Sequence, residues 1–275
     1  MNPHRNQSTS PFALLNSLLA NKGLVLNLIR REVTSRYRGS SMGLLWSFIQ
    51  PVLMLAVYTF VFSVIFKARW AGGSNSKTEF ALVLFAGLMM FNLFAECINR
   101  SPSLILGNVN YVKKVIFPLE ILPIVALGSA TFHLAISLLV WLLFYLIFFG
   151  IPPLTILELP LVLLPLLLMI CGLSWLLASL GVYLRDISQI ITVLTTILMF
   201  LTPIFYSVTA LPEQYRPLVQ LSALTFVVEQ ARAVMLWGEN ISWLQWSEQM
   251  LLSGAIAWLG FAWFQKTRKG FADVI

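Results

Sequence analysis

The chain alternates between long runs without an ionisable side chain and short clusters rich in arginine and lysine. Residues 44–66 read LLWSFIQPVLMLAVYTFVFSVIF, with no acidic or basic residue. Twenty-three residues at about 1.5 Å each reach roughly 34 Å, enough to cross a hydrocarbon core of about 30 Å. Five further runs follow at 80–98, 121–149, 160–183, 187–204 and 250–264, so the pattern predicts six transmembrane helices. The third carries Pro123 near its start, which predicts a tilt or an early break. The last is only 15 residues long and either extends back toward Trp243 or packs against thicker protein. The runs are continuous and Leu-rich rather than alternating, which favours helices over a membrane barrel.

Three segments are patterned but do not span. In 23–39, Leu26, Ile29, Val33 and Tyr37 share one helical face while Arg30, Arg31 and Arg38 take others. That predicts an amphipathic helix along the inner membrane surface, with an anchor to anionic lipid as the plain alternative. In 99–123 (NRSPSLILGNVNYVKKVIFPLEILP), Pro102 and Asn108 suit the start of a short helix and Pro118 its end. Lys113 and Lys114 there flank Val115, Ile116 and Phe117, which reads either as a patch for a soluble partner or as a solvated loop. In 206–249, the stripe Leu218, Leu221, Leu224, Val227 and Val228 is interrupted by Glu213, Arg216, Glu229 and Arg232. No piece is long enough to span, so short helices are expected to dip into the outer leaflet and return. Glu229 and Arg232, three apart, are placed either to pair or to touch substrate.

Composition strengthens the membrane reading: 59% of residues are hydrophobic, 11% are charged, and mean hydropathy is +0.84. The net charge of +7 belongs to membrane topology rather than to nucleic-acid binding. Thirteen Lys and Arg fall on one side of a six-span threading and five on the other, which predicts cytoplasmic N- and C-termini. No cleavable signal is expected, because residues 1–12 are polar and the next stretch is broken by Asn16, Asn21, Lys22 and Asn27. Cys97 and Cys171 lie in or beside apolar segments and read as buried free thiols.

The chain carries no G-x-x-x-x-G-K-[ST] loop, no G-x-S-x-G and no HExxH, so neither a P-loop nucleotide site nor a familiar hydrolase centre is expected. Metal-ligand spacing is absent, with His4 and His133 remote from each other. Ion-coupled carriers place carboxylates or histidines mid-span, and only His133 qualifies here; a histidine hydrogen-bonded in the bundle is the simpler reading. Any transport must therefore draw energy from elsewhere. Aromatic residues crowd the first run (Trp46, Phe48, Tyr58, Phe60, Phe62, Phe66) and the second (Phe85, Phe91, Phe94). Rings face lipid or line a path for sugars, and Trp46, Gln50 and Tyr58 combine ring and polar groups on one span.

The stretch SRYRGSSMGLLWSFIQP at 35–51 resembles the opening of permease subunits of ABC exporters for bacterial polysaccharides. The similarity continues through YVKKVIFPLEILP, LRDISQI, LTPIFYSVTALPEQYR and the tail KGFADVI, in order and over nearly the whole chain. O-antigen exporters are the nearest branch, with capsule and teichoic-acid exporters as relatives. The resemblance implies one all-α permease domain in the bacterial inner membrane, a homodimer on two copies of a separate P-loop ATPase that binds ATP and Mg. It implies an interface helix at 23–39, a coupling helix at 108–117 and re-entrant outer helices at 211–236. Arg30, Arg31, Glu32, Arg36, Arg38, Tyr111, Lys113 and Lys114 would couple to the ATPase. Trp46, Gln50, Tyr58, Phe62, Phe91, Glu229 and Arg232 would line the path of an undecaprenyl-type lipid-linked polysaccharide. Relatives carry Asn-Pro where Ser222 and Ala223 stand here, which predicts a less rigid turn. A drug or lipid exporter is the alternative within transport. An integral-membrane glycosyltransferase would need clustered carboxylates or a histidine pair, which the sequence lacks.

Overall fold

A computed structural model describes residues 9–61, 77–113, 117–220 and 222–275. Every regular element among them is helical. If each of two bent helix pairs counts as one span the total reaches six; taken singly, four helices among the described residues are long and apolar enough to cross a membrane. They are Gly43–Val61, whose main part is α3 (Trp46–Tyr58); Thr78–Ser103, within and just beyond α4 (Lys77–Arg100); α6 (Ile121–Phe149); and Leu154–Tyr183, ending in α7 (Leu159–Tyr183). Six spans were expected. At the fifth place stands α8 (Ile187–Leu201), 15 residues and so about 22 Å long, short of a hydrocarbon core. At the sixth stands α11 (Trp243–Thr267), 25 residues and about 37 Å, which extends the expected run back to Trp243. It is long enough but less apolar than the four, because Gln245, Glu248 and Gln249 occupy one end and Gln265 and Lys266 the other.

Hydrophobic packing places α4 at the centre, between α6, α7, α8 and α10 (Ala223–Arg232). Its residues from Phe80 to Phe91, apart from Gly87, are buried apolar side chains, which is why a helix with so few polar groups is stable inside protein rather than in lipid. Helix α11 lies along α7, and the two backbones touch at facing glycines. A Cβ on Gly260 would stand 2.0 Å from the Gly172 carbonyl oxygen, and one on Gly172 would stand 2.4 Å from that of Ile256. Lipid supplies no hydrophobic drive between helices, so this close van der Waals approach through small residues holds the pair. Helix α3 is peripheral: Leu55 is buried, while Leu53, Met54, Val57 and Phe60 are exposed. Helix α8 likewise turns Ile190, Val193, Leu194, Ile197 and Phe200 outward.

A second apolar cluster forms at one end of the bundle. It joins α2 (Lys22–Arg36) through Leu28, the connection after α4 through Ile105 and Phe117, the ends of α6, α7 and α11, and α12 (Phe271–Val274) through Phe271. Helix α1 (Pro11–Ala20), which was not among the expected elements, packs Leu14 and Leu18 on this cluster. Ser10 has extended backbone at its N-cap and Pro11 occupies the first turn, a favourable helix start. The chain bends by 73° between α1 and α2. Helix α2 ends at Arg36, short of the expected 39; Tyr37 caps it, and the chain turns on through Gly39, which has a positive φ of 86°.

The short helix α5 (Val109–Lys113) follows a 3₁₀ turn at Leu106–Asn108, within the segment expected to hold a coupling helix. Residues 114–116, including Lys114, lie outside the described residues. In the expected re-entrant segment, Glu213–Gln220, which contains α9 (Arg216–Gln220), and Ala223–Trp237 meet at 95°. Ser222 has extended backbone at the N-cap of α10, so the chain breaks here with Ser-Ala in place of Asn-Pro.

Candidate functional site

Helical periodicity builds a polar groove between α3, α4 and α6. Gln50, Met54 and Tyr58, four apart, line it from α3. Phe85, Met89, Asn92, Glu96 and Asn99 line it from α4 at alternating spacings of four and three, one continuous stripe that turns polar toward Arg100. Helix α6 contributes His133 and Ser137, again four apart, and Arg36 and Tyr37 close the end nearest α2. The cavity measures about 500 Å3, within the range of small-ligand sites.

The charged groups in the groove are tied down. Arg36 donates to Glu96, and His133 Nδ1 lies 3.0 Å and 3.1 Å from the two Glu96 oxygens. His133 Nδ1 also lies 3.1 Å from Arg36 Nη1, so the three side chains form one cluster, while the buried Nε2 has no partner among the described residues. The Tyr37 ring meets the imidazole edge-on, with centroids 6.2 Å apart. Burial pushes the Tyr37 phenol above its ordinary range, so it stays a neutral hydroxyl. Asn99 Oδ1 accepts from Thr195 Oγ1 at 2.9 Å, which fastens α8 to the stripe. Gln50 and Asn92 are exposed in the groove, with no side-chain partner among the described residues, so their amides are open to a ligand. The site therefore offers neutral donors and acceptors beside aromatic and thioether surface, with its charges internally compensated.

The expected channel residues divide. Gln50 and Tyr58 line the groove, and Phe62 lies outside the described residues. Trp46 is 40% exposed at the start of α3 and is not part of the groove lining. Phe91 is a correction: it is only 3% exposed, packed beside Phe94 in the central core, because it falls off the groove stripe of α4. Arg232 is also a correction. It is fully buried and donates to the carbonyls of Val83 (3.1 Å), Pro203 (2.6 Å) and Ile204 (2.7 Å), as well as to Glu229 (2.8 Å). It clamps α10 to α4 and to the chain after α8, and Glu229 is its ion-pair partner. Gly87 on α4 makes room for it; a Cβ there would sit 2.6 Å from the guanidinium.

The residues expected to meet an ATPase divide as well. Arg30, Arg31, Arg38 and Lys113 are exposed. Arg31 donates to the Tyr111 hydroxyl at 3.0 Å, joining α2 to α5, and Tyr111 stacks on Phe117 with centroids 4.2 Å apart. Glu32 and Arg36 instead turn inward, to Arg100 and Glu96. Glu120, which the sequence reading passed over, gathers this region. Its carboxylate accepts from Ser17 (2.8 Å) and Arg268 (2.7 Å), its carbonyl accepts from Trp175 Nε1 (2.9 Å), and Arg268 also donates to the Phe117 carbonyl (2.9 Å). The signal was an acid between Pro118 and Pro123 in an otherwise apolar stretch. No cluster of three or more potential metal ligands occurs among the described residues.

Comparison with known proteins adds the family. The family described as ABC-2 type transporter matches residues 24–236. The "O-antigen export system permease protein RfbA" of Myxococcus xanthus is 30% identical over 128 residues, 46% of each chain. A protein of the same name from Klebsiella pneumoniae is 23% identical over 132 residues, 48% of each chain. Another from that organism is 26% identical over 101 residues, 37% of this chain and 36% of its own. The aligned part thus spans about half or less of each curated relative's length.

Proposed function

The chain belongs to the ABC-2 type transporter family through residues 24–236, and from that membership we propose that it is the channel-forming permease subunit of an ATP-driven exporter. Its cargo in this reading is a lipid-linked polysaccharide of the O-antigen type, on an undecaprenyl-type carrier, moved across the bacterial inner membrane. The names of the curated relatives support that cargo. The observation that carries the reading is the groove: open amides of Gln50 and Asn92 beside the Tyr58 ring, in a cavity walled by α3, α4 and α6. Hydroxyl-rich sugars need such unpartnered donors and acceptors, and their C–H faces stack on rings.

Energy enters from a partner. With no nucleotide motif in the chain, ATP and Mg belong to a separate P-loop ATPase. Arg30, Arg31, Arg38 and Lys113, joined through the Arg31–Tyr111 bond, form the basic face for it. Lys114 is the neighbouring cation in sequence. Two copies of the chain would enclose the path, using the outward apolar faces of α3 and α8. Closure of the ATPase then favours one arrangement of the two halves over another.

The test is affinity capture of the membrane-extracted chain followed by transport. A P-loop ATPase should copurify, and inverted vesicles should take up an undecaprenyl-diphosphate-linked oligosaccharide only with ATP. Replacing Gln50→Leu together with Tyr58→Ala should lower uptake while leaving the ATPase bound. Capture of no ATPase, or uptake indifferent to ATP, would refute the reading; uptake of a drug or a simple lipid instead would reassign the cargo.

A further inference from the structure

Two ion pairs connect α2 to α4, and they are reciprocal. Each helix carries an acid followed four residues later by an arginine, Glu32 and Arg36 on α2, Glu96 and Arg100 on α4. Arg100 donates to Glu32 and Arg36 donates to Glu96, so the two couplets meet in antiparallel register. Helix α2 rests on α6, and between it and α4 lies a space of about 280 Å3 lined by Glu32, Ser35, Arg36, Arg100 and Ser129. Side chains rather than packed backbones bridge that space. The Arg36 and Arg100 side chains are 47% and 39% exposed, so water reaches both rungs and each is individually weak.

Register is what the pair of rungs specifies. Sliding α2 by one helical turn would oppose Glu32 to Glu96, or Arg36 to Arg100, and both juxtapositions repel. Only one alignment satisfies both rungs, and neighbouring ones are penalised, so α2 is either engaged or separated rather than graded in position. Arg36 and Arg100 also line the polar groove, and Glu96 belongs to its α4 stripe. His133, which also lies 3.1 Å from Arg36, sits on α6 and would keep the Glu96 carboxylate partnered when α2 withdraws.

We propose that Glu32, Arg36, Glu96 and Arg100 are positioning residues for transport, a two-rung register that transmits displacement of the basic helix α2 to the groove wall on α4. The inference rests on the permease reading above, in which α2 takes its motion from an ATPase. It also reassigns Glu32 and Arg36, which serve contacts within the chain rather than the partner's surface.

Charge exchange tests it in the reconstituted complex with the copurifying ATPase. Uptake of an undecaprenyl-diphosphate-linked oligosaccharide is measured per ATP hydrolysed, together with complex yield. Glu32→Arg alone and Arg100→Glu alone should each lower uptake per ATP by about tenfold, with complex yield and hydrolysis retained. Combining Glu32→Arg with Arg100→Glu re-forms that rung but makes the slipped alignments attractive as well, so it should recover uptake only in part, to between the singles and wild type; full recovery would leave an ion pair without a register. Combining Arg36→Glu with Arg100→Glu, which leaves only acids on both rungs, should recover none. Singles that transport normally, a swap no better than the singles, or singles that simply lose complex yield would each overturn the register. A wild-type chain that captures no ATPase would overturn the permease reading and this inference with it.

Discussion

Arg232→Met separates a buried clamp from a channel contact. The guanidinium serves the Glu229 carboxylate and the carbonyls of Val83, Pro203 and Ile204, and methionine offers similar bulk with no donor. Removing one partner of a buried ion pair costs about 3–5 kcal/mol. Glu229 keeps 30% of its side chain exposed, so the low end, about 3 kcal/mol, applies to it. Three carbonyls left without this donor add about 1 kcal/mol each at the lower bound, and relaxation recovers part of that. The total is about 5 kcal/mol, comparable with the whole stability of a marginal domain. At about 2–4 °C per kcal/mol for a chain of this size, the melting temperature in detergent should fall by about 10 °C or more. Arg232→Lys keeps a charge but reaches fewer acceptors, and should fall between. A lysine variant as stable as wild type would weaken the argument from the forked geometry. An Arg232→Met chain that melts within about 2 °C of wild type yet fails to transport would refute the clamp and return Arg232 to the channel wall.

Gly260→Ala should drive α11 from α7, because its Cβ would stand 2.0 Å from the Gly172 carbonyl oxygen. A loss of about 1–3 kcal/mol is expected in thermal unfolding, and an unchanged melt would show that the pair is not in backbone contact. Arg268→Gln removes the cation from Glu120 and the donor from the Phe117 carbonyl. Amide exchange in residues 269–275 should quicken while α7 stays protected; unchanged exchange would mean that Phe271 alone anchors the tail. Cys97 and Cys171 are both buried, so a maleimide should label neither in the native protein and both after unfolding. Labelling of either in the native state would contradict the packing around α4 or α7.

Four long apolar helices were legible among the described residues because lipid is an unforgiving solvent: an uncharged run long enough to cross is helical or it is not there. What periodicity could not supply was enclosure. Helix α4 and helix α3 read alike as apolar runs, yet α4 is nearly all buried and α3 mostly exposed, since burial depends on which helices pack alongside. The same blindness misplaced Phe91, whose ring is aromatic and mid-span but lies off the stripe that faces the groove. Helix α1 was not expected at all: Asn16 and Asn21 entered only as interruptions of a possible signal core. Asn21 instead marks the bend, its side chain donating to the Ser17 carbonyl, while Leu14 and Leu18 carry the helix into the second cluster.

Polar side chains within the bundle sort by whether protein already answers them, and that sorting separates structure from function here. Arg232 and Glu229 answer each other and three carbonyls, so charge at α10 is architecture. Glu96 answers Arg36 and His133, so charge in the groove is compensated before any ligand arrives. Gln50 and Asn92 have no answer among the described residues. A membrane protein gains nothing by holding free amides against lipid, where each unpaired polar group is costly. Asn92 shares its α4 stripe with Glu96, where the α2–α4 ion pairs end, and lines one groove with Gln50 and Tyr58 of α3.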